Sequence, residues 1–187
     1  PRPETEELVD LVVNDAQHNQ SNHIIDIGTG SGCIAIALKK KTDSIVFAVD
    51  DSEKALVKAR FNANYHNVDI NFLSLDILNY HDKSDMPKFD VIVSNPPYVC
   101  LTDVSKKSNI YFEPMSAIFV PDANPLIFYD AICDFGKRNL NPNGRIFFEI
   151  NSKFGSSLIK LIDQKGCSKV KIHNDFNGKK RFIVVYF

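Results

Sequence analysis

The chain reads as an α/β protein on a mostly parallel sheet that ends in an antiparallel hairpin. Three observations carry this reading. Strand-length apolar runs alternate with helix-length amphipathic ones along 187 residues, the pattern of repeated βαβ units. A glycine-rich turn, Gly28-Thr29-Gly30-Ser31-Gly32, joins the first strand to the helix after it. The last two apolar runs, Lys169 to His173 and Arg181 to Phe187, are joined through Asn174 to Lys180 with Gly178 in the turn, a connection too short for a parallel crossover.

The elements follow from local chemistry. Glu4 to Ala16 is predicted helical: Pro3 suits the first turn, Glu4, Glu6 and Glu7 complement the positive end of the dipole, and Leu8, Leu11 and Val12 make an apolar stripe at helical spacing. His23 to Ile27 is the first strand. The glycine turn opens a helix over Ser31 to Lys41, whose three lysines sit at its negative end. Ile45 to Val49 is the second strand, and Ser52 is placed to cap a helix running to about His66. Ile70 to Leu73 and Phe89 to Ser94 are the third and fourth strands. Val99 to Ala123 is too long and irregular for an ordinary connection and is expected to form a functional loop over the sheet's carboxyl edge. Pro125 to Asn139 is helical, Asn141-Pro142-Asn143-Gly144 a turn, Arg145 to Ile150 the fifth strand and Lys153 to Lys165 a helix, so the closing hairpin brings the sheet to seven strands.

The length, with 44% hydrophobic and 24% charged residues, fits one globular domain spanning 1–187. A net charge of −1, from 22 basic and 23 acidic residues, argues against a polyanion partner, and the basic run Lys179-Lys180-Arg181 reads as a solvated turn. No apolar run reaches membrane-spanning length. Cys33, Cys100, Cys133 and Cys167 form no CxxC pair, and the five histidines show no ligand spacing, so neither a metal site nor a disulfide framework is expected. That cysteine usage points to a reducing, cytoplasmic compartment. The chain begins at Pro1 rather than Met and is expected to be part of something longer; nothing in its pattern demands more than a monomer.

Candidate ligand-binding residues fall at successive predicted strand ends. Asp26 precedes the glycine turn, where it would orient the turn and meet an amino group of a ligand. The turn's spacing is GxGxG rather than the GxGxxG of dinucleotide-binding turns. Asp50 ends the second strand, twenty-two positions after Gly28, where a carboxylate accepts hydrogen bonds from both hydroxyls of a ribose. Asp76 follows the third strand and could face an adenine amino group while Ile77 packs on the ring. Together these points describe a nucleoside site at the topological switch point of a doubly wound sheet.

Asn95-Pro96-Pro97-Tyr98 stands where the fourth strand ends. Consecutive prolines forbid helix and ladder pairing, so the backbone there is stiff and extended. The Asn95 side-chain oxygen and the Pro96 carbonyl can each accept one hydrogen of a planar NH2 group, and Tyr98 can cover its face. The plainer alternative is a Pro-Pro turn that only ends a strand.

The order of these features resembles the class I S-adenosylmethionine-dependent methyltransferases, with their Rossmann-like sheet. In that superfamily the NPPY motif marks methylation of planar nitrogens: glutamine amides, adenine N6 and guanine N2. Pro1-Arg2-Pro3-Glu4-Thr5-Glu6 is similar to the RPETE segment of the HemK/PrmC family, the N5-glutamine methyltransferases of peptide-chain release factors. Phe112-Glu113-Pro114, followed by Ala117 and Ile118, resembles that family's FEP segment. The resemblance runs from Pro1 to the final strand and covers the catalytic domain, without the family's small helical domain in front.

The resemblance implies S-adenosylmethionine as cofactor, held by Asp26, Gly28, Thr29, Gly30, Ser31, Gly32, Asp50, Asp76, Ile77 and Asn95. It implies chemistry at Asn95, Pro96, Pro97 and Tyr98, with Arg2 and Glu113 helping to close the site around the glutamine of a Gly-Gly-Gln loop. Two departures stand out: Glu149-Ile150-Asn151-Ser152-Lys153-Phe154-Gly155 lacks the family's glutamine in that segment, and Ile77 replaces a common aromatic. The competing expectation is an N6-adenine or N2-guanine methyltransferase acting on DNA or RNA, which would need a basic track or a target-recognition domain.

Overall fold

The computed structural model describes residues 3–80, 86–100, 119–120 and 123–187. In chain order the main elements are α1 (Pro3–Asn19), β1 (His23–Ile27), α2 (Cys33–Lys41), β2 (Ile45–Asp50), α3 (Glu53–Tyr65), β3 (Asn71–Ser74), β4 (Phe89–Ser94), β5 (Val99–Cys100), β6 (Phe119–Val120), α4 (Ile127–Asn139), β7 (Leu140–Glu149), α5 (Gly155–Gln164), β8 (Lys169–Asn174) and β9 (Lys180–Tyr186). Seven strands form one sheet in the order β3-β2-β1-β4-β7-β9-β8, and β5 pairs with β6 in a separate two-stranded sheet. Neighbours from β3 to β7 run parallel, while β9 runs antiparallel to both β7 and β8. No described helix is long and apolar enough to cross a membrane.

The central strands are apolar on both faces because helices cover both. Ile24 and Phe147 belong to the core that α1 and α2 close with Leu8, Val12 and Leu38. Their chain neighbours Ile25, Ile146 and Phe148 point the other way, into the core that α4 and α5 close with Tyr129, Phe135, Leu158 and Ile162. This alternation is the two-residue period of a strand read on both sides. Edge strands β3 and β8 are largely exposed, which suits their single pairing partner.

The expected strands and helices form, with shifts at their ends. Helix α2 begins at Cys33 rather than Ser31, and α4 at Ile127 rather than Pro125. One expectation is corrected. Asn141-Pro142-Asn143-Gly144 is not a turn before a strand but part of β7 itself. Leu140 pairs with Phe89 and Arg145 with Val91, so these four residues bulge out opposite Asp90. Asn143 takes a positive φ of 65°, the turn conformation its sequence suggested, inside a ladder that continues past it.

Asp90 holds this bulge and the start of β1 together. Its Oδ2 accepts the backbone N–H groups of Asn22 at 2.7 Å and His23 at 2.9 Å, and its Oδ1 accepts Asn141 Nδ2 at 2.7 Å. Partial burial opposes ionisation, but these bonds win and hold the carboxyl below its usual range. Beside it, buried Arg145 pairs with Asp15 of α1 and donates to Ser21 Oγ at 3.0 Å and to the Asn143 carbonyl at 3.2 Å. The amino edge of the sheet is thereby locked to the end of α1.

Gly32 caps α2 with φ +83°, and a Cβ added there would lie 3.1 Å from Ala59 Cβ and 3.3 Å from Ala59 Cα. Gly32→Ala is expected to lower the unfolding free energy by about 1–2 kcal/mol, the cost of forcing an L-residue into the left-handed region. Urea unfolding measures this, and an unchanged midpoint would contradict the close approach of α2 and α3.

Candidate active site

The site lies where the chain's connections diverge. From β1 the chain turns through the glycines to α2 on one face and on to β2; beyond β4 it reaches α4 on the other face and then β7. In such a topology the connections leave β1 and β4 toward opposite faces of the sheet, and ligands bind in the crevice at their carboxyl ends. Both local motifs end at this crevice. Ser94, the last residue of β4, donates from Oγ to the Ile27 carbonyl at 2.7 Å, which fastens the two strand ends together.

The glycine turn is built on two carboxylates. Asp26 is fully buried, and its Oδ2 accepts Thr29 Oγ1 at 2.6 Å and the Ala35 N–H at 3.3 Å. Asp26 Oδ1 is equally buried and, among the described residues, has no hydrogen-bond partner. Burial pushes the carboxyl up to about 7; the Thr29 and Ala35 bonds oppose this, and the nearby charge of Asp50 adds to it. Asp50 Oδ2 accepts the Gly30 N–H at 2.8 Å and Oδ1 that of Ser52 at 3.0 Å. A carboxylate offers about four lone-pair sites, so these two bonds do not exhaust its acceptor capacity.

The expected third acid has a local task. Asp76 is exposed and caps the single 3₁₀ turn Ile77–Asn79, accepting the Leu78 N–H at 2.9 Å and Asn79 Nδ2 at 2.6 Å. Ile77 is half-buried against the α4–α5 core. Asp51, which the sequence reading passed over, has its carboxyl raised by partial burial and by crowding from Asp50 and Asp76, so a third carboxylate shares this corner. Asn62 was also missed. Its Nδ2 donates to the Ser31 carbonyl at 2.8 Å and pins the turn to α3; an amide between Ala59 and Ala63 on the helix's buried side was the available signal.

Asn95, Pro97 and Tyr98 are half-buried and Pro96 is buried. Asn95 Nδ2 reaches Thr5 Oγ1 at 3.5 Å, and the Thr5 hydroxyl donates to Glu149 Oε2 at 2.9 Å. Tyr98 packs against the core near buried Tyr129. The Tyr129 hydroxyl donates to the Glu149 carbonyl at 3.1 Å, and its phenol is pushed well above the usual value by burial, with the charges of Tyr98 and Glu149 adding and Arg181 opposing. Arg2 and Glu113, with the rest of the Phe112-Glu113-Pro114 segment, lie outside the described residues. Among the described residues no group of histidine, cysteine and acidic side chains is arranged to hold a metal ion.

A partnerless buried carboxylate oxygen beside a tight backbone turn, with a second carboxylate next to it, fits a ligand carrying an ammonium group and vicinal hydroxyls. Fold and site together define a class I methyltransferase. Residues 6–110 match the methyltransferase small domain family. The chain is 41% identical, over 100% of its length and 67% of the relative's, to a release factor glutamine methyltransferase of Flavobacterium psychrophilum. It is also 41% identical to that of Bacteroides thetaiotaomicron, over 98% of this chain and 66% of the relative. The chain belongs to the release factor glutamine methyltransferase family and spans about two thirds of the length of these relatives. Two solved structures share its fold. A ribosomal protein L11 methylase from Lactobacillus delbrueckii superimposes with a TM-score of 0.69 at 20% identity, covering 99% of this chain and 79% of its own. A magnesium protoporphyrin IX methyltransferase from Synechocystis, solved with bound SAM, gives 0.63 at 15% identity, covering 98% and 80%.

The raised carboxyl has a consequence for stability. Folded Asp26 keeps its proton up to about pH 7, whereas the unfolded group, at 3.8, releases it earlier. Between those values the folded chain binds more protons, so Asp26 lowers stability as pH rises through the window. Its share of the decline is on the order of 4 kcal/mol. Urea unfolding at pH values across the window should show that slope, and Asp26→Asn should flatten it; parallel pH curves would contradict the assignment.

Proposed function

We propose that the protein transfers the methyl group of S-adenosylmethionine to the side-chain amide nitrogen of the glutamine in the Gly-Gly-Gln segment of peptide-chain release factors. The observation that carries this reading is the seating of Asn95-Pro96-Pro97-Tyr98 beside the glycine turn, at the joined ends of β4 and β1, in a chain of this family. The relatives bear the names of glutamine methyltransferases, which favours a protein substrate over adenine or guanine. The cytoplasm is the compartment this reading implies.

When bound, S-adenosylmethionine supplies a methyl group on a sulfonium, whose departing thioether needs no protonation. Asp26 would accept from its ammonium group, the backbone of Gly28 to Gly32 would line its amino-acid portion, and Asp50 would accept from the ribose hydroxyls. Asp76 and Ile77 would border the adenine. Asn95 would stand between this site and the substrate.

An amide nitrogen is a weak nucleophile because its lone pair is delocalised into the carbonyl. Asn95 Oδ1 and the Pro96 carbonyl would each accept one substrate N–H, which draws the nitrogen toward a pyramidal shape and favours positive charge developing on it. Pro97 limits the motion of those acceptors, and Tyr98 packs on the amide plane. Proton loss can follow methyl transfer, so no dedicated base is needed. Arg2 and Glu113 would close the site around the glutamine loop.

The test is to supply radiolabelled S-adenosylmethionine with a release factor, ribosomal RNA and genomic DNA, and to ask which pool takes label. Label on the release factor, lost when its Gly-Gly-Gln glutamine is replaced, is the expected result; label on nucleic acid would overturn the substrate. Asn95→Ala should slow single-turnover transfer by about 10²–10³, the cost of removing one preorganised hydrogen-bonding group.

A further inference from the structure

We propose that Thr5, held by Glu149, is a positioning residue that turns the Asn95 side-chain amide so that its oxygen faces the substrate; this rests on the reading of Asn95 given above. A primary amide is nearly symmetric in shape but not in chemistry. Turned one way Asn95 offers the crevice an acceptor, and turned the other way a donor. A donor there would meet the hydrogens of the substrate NH2 group and repel them. The proposed chemistry therefore needs a device that distinguishes two orientations of equal size.

The three residues come from different elements, with Thr5 on α1, Asn95 following β4 and Glu149 ending β7. They form one chain: Asn95 Nδ2 to Thr5 Oγ1 at 3.5 Å, then Thr5 Oγ1 to Glu149 Oε2 at 2.9 Å. Its direction is set at the carboxylate end. The Thr5 hydroxyl donates its single proton to Glu149 Oε2. What the hydroxyl then offers Asn95 is a lone pair, and only the NH2 side of the amide can answer it. The Asn95 oxygen is left facing away from Thr5.

Burial makes this sorting hold. Thr5 is 7% exposed and Glu149 1%, so water does not readily replace either partner. The Glu149 backbone is itself tied down by the Tyr129 hydroxyl at 3.1 Å. At 3.5 Å the contact to Asn95 lies beyond the usual N–H···O range, so what it contributes is direction and little binding strength.

The experiment uses the full-length protein with a release factor and compares Thr5→Val, Thr5→Ser and Asn95→Ala. Thr5→Val keeps the side-chain shape and removes the hydroxyl, with Thr5→Ala as the substitute should it not fold. Expected is a fall in kcat of about tenfold, the worth of one hydrogen bond, with recovery in Thr5→Ser and an unchanged calorimetric Kd for S-adenosylmethionine. The double variant Thr5→Val/Asn95→Ala should be no slower than Asn95→Ala. Independently of turnover, the Asn95 side-chain NH2 resonances in ¹⁵N–¹H spectra should shift in Thr5→Val and return in Thr5→Ser. A normal kcat in Thr5→Val beside a slow Asn95→Ala would overturn this proposal and leave the function standing, as would losses that multiply in the double variant. A normal rate in Asn95→Ala would instead overturn the assignment of Asn95 on which it rests.

Discussion

The buried carboxylate of Asp26 is the constraint around which the rest of this structure is arranged. It stands on the central strand, fully buried, with one oxygen bonded to Thr29 and Ala35 and the other without a partner among the described residues. A buried carboxyl without a full complement of partners is costly to ionise, and folded proteins avoid one unless the surroundings supply a reason. Here the paired oxygen shapes the glycine turn and anchors the start of α2. The same residue thus builds the glycine turn and leaves a buried acceptor without a partner among the described residues.

The two edges of the sheet show opposite accounting of polar groups. At the amino edge Asp90 collects the amides of Asn22, His23 and Asn141, and Arg145 collects Asp15, Ser21 and Asn143. Those bonds hold α1, β1, β4 and β7 in one frame. At the carboxyl edge Asp26 Oδ1 has no partner among the described residues, Asp50 accepts the Gly30 and Ser52 N–H groups, and Asp51 is crowded enough to have its carboxyl raised. Tight satisfaction at one edge gives the frame in which strain at the other can persist. Cys133, deep beneath this frame with its thiol pushed up to about 12 by burial, belongs to the packing and not to the chemistry.

What was legible in the sequence was whatever is encoded locally. Strands β1 and β4 match their expected bounds because they are central, apolar runs ended by turn chemistry. The glycine turn, Asp50 and Asn95 could be placed because each follows a recognisable strand end. β3 slipped by one residue, to Asn71–Ser74, because an exposed edge strand has little periodicity to mark it. The Asn141–Gly144 segment was misplaced for a different reason. Its residues do encode a local reversal, and Asn143 adopts one, but whether the ladder resumes on the same side depends on Asp90 across the sheet. The contacts of Asn62, Thr5 and Tyr129 were invisible in the sequence because each bonds a group on another element.

The role of α1 follows from that last point. Its stripe of Leu8, Val12 and Ala16 would account for the helix as a simple cover for one face of the sheet. Yet its first turn carries a buried threonine where a helix beginning at the surface would ordinarily carry solvated residues, and that threonine bonds a glutamate 144 positions away. The apolar stripe and the Asp15–Arg145 pair fix the helix along its length, and only with both in place does Thr5 fall between Asn95 and Glu149. Packing therefore does more than stabilise here: it delivers a hydroxyl to the Asn95 side chain. A helix that precedes every strand of the sheet thereby reaches the residue after β4 at the carboxyl edge, by packing geometry alone.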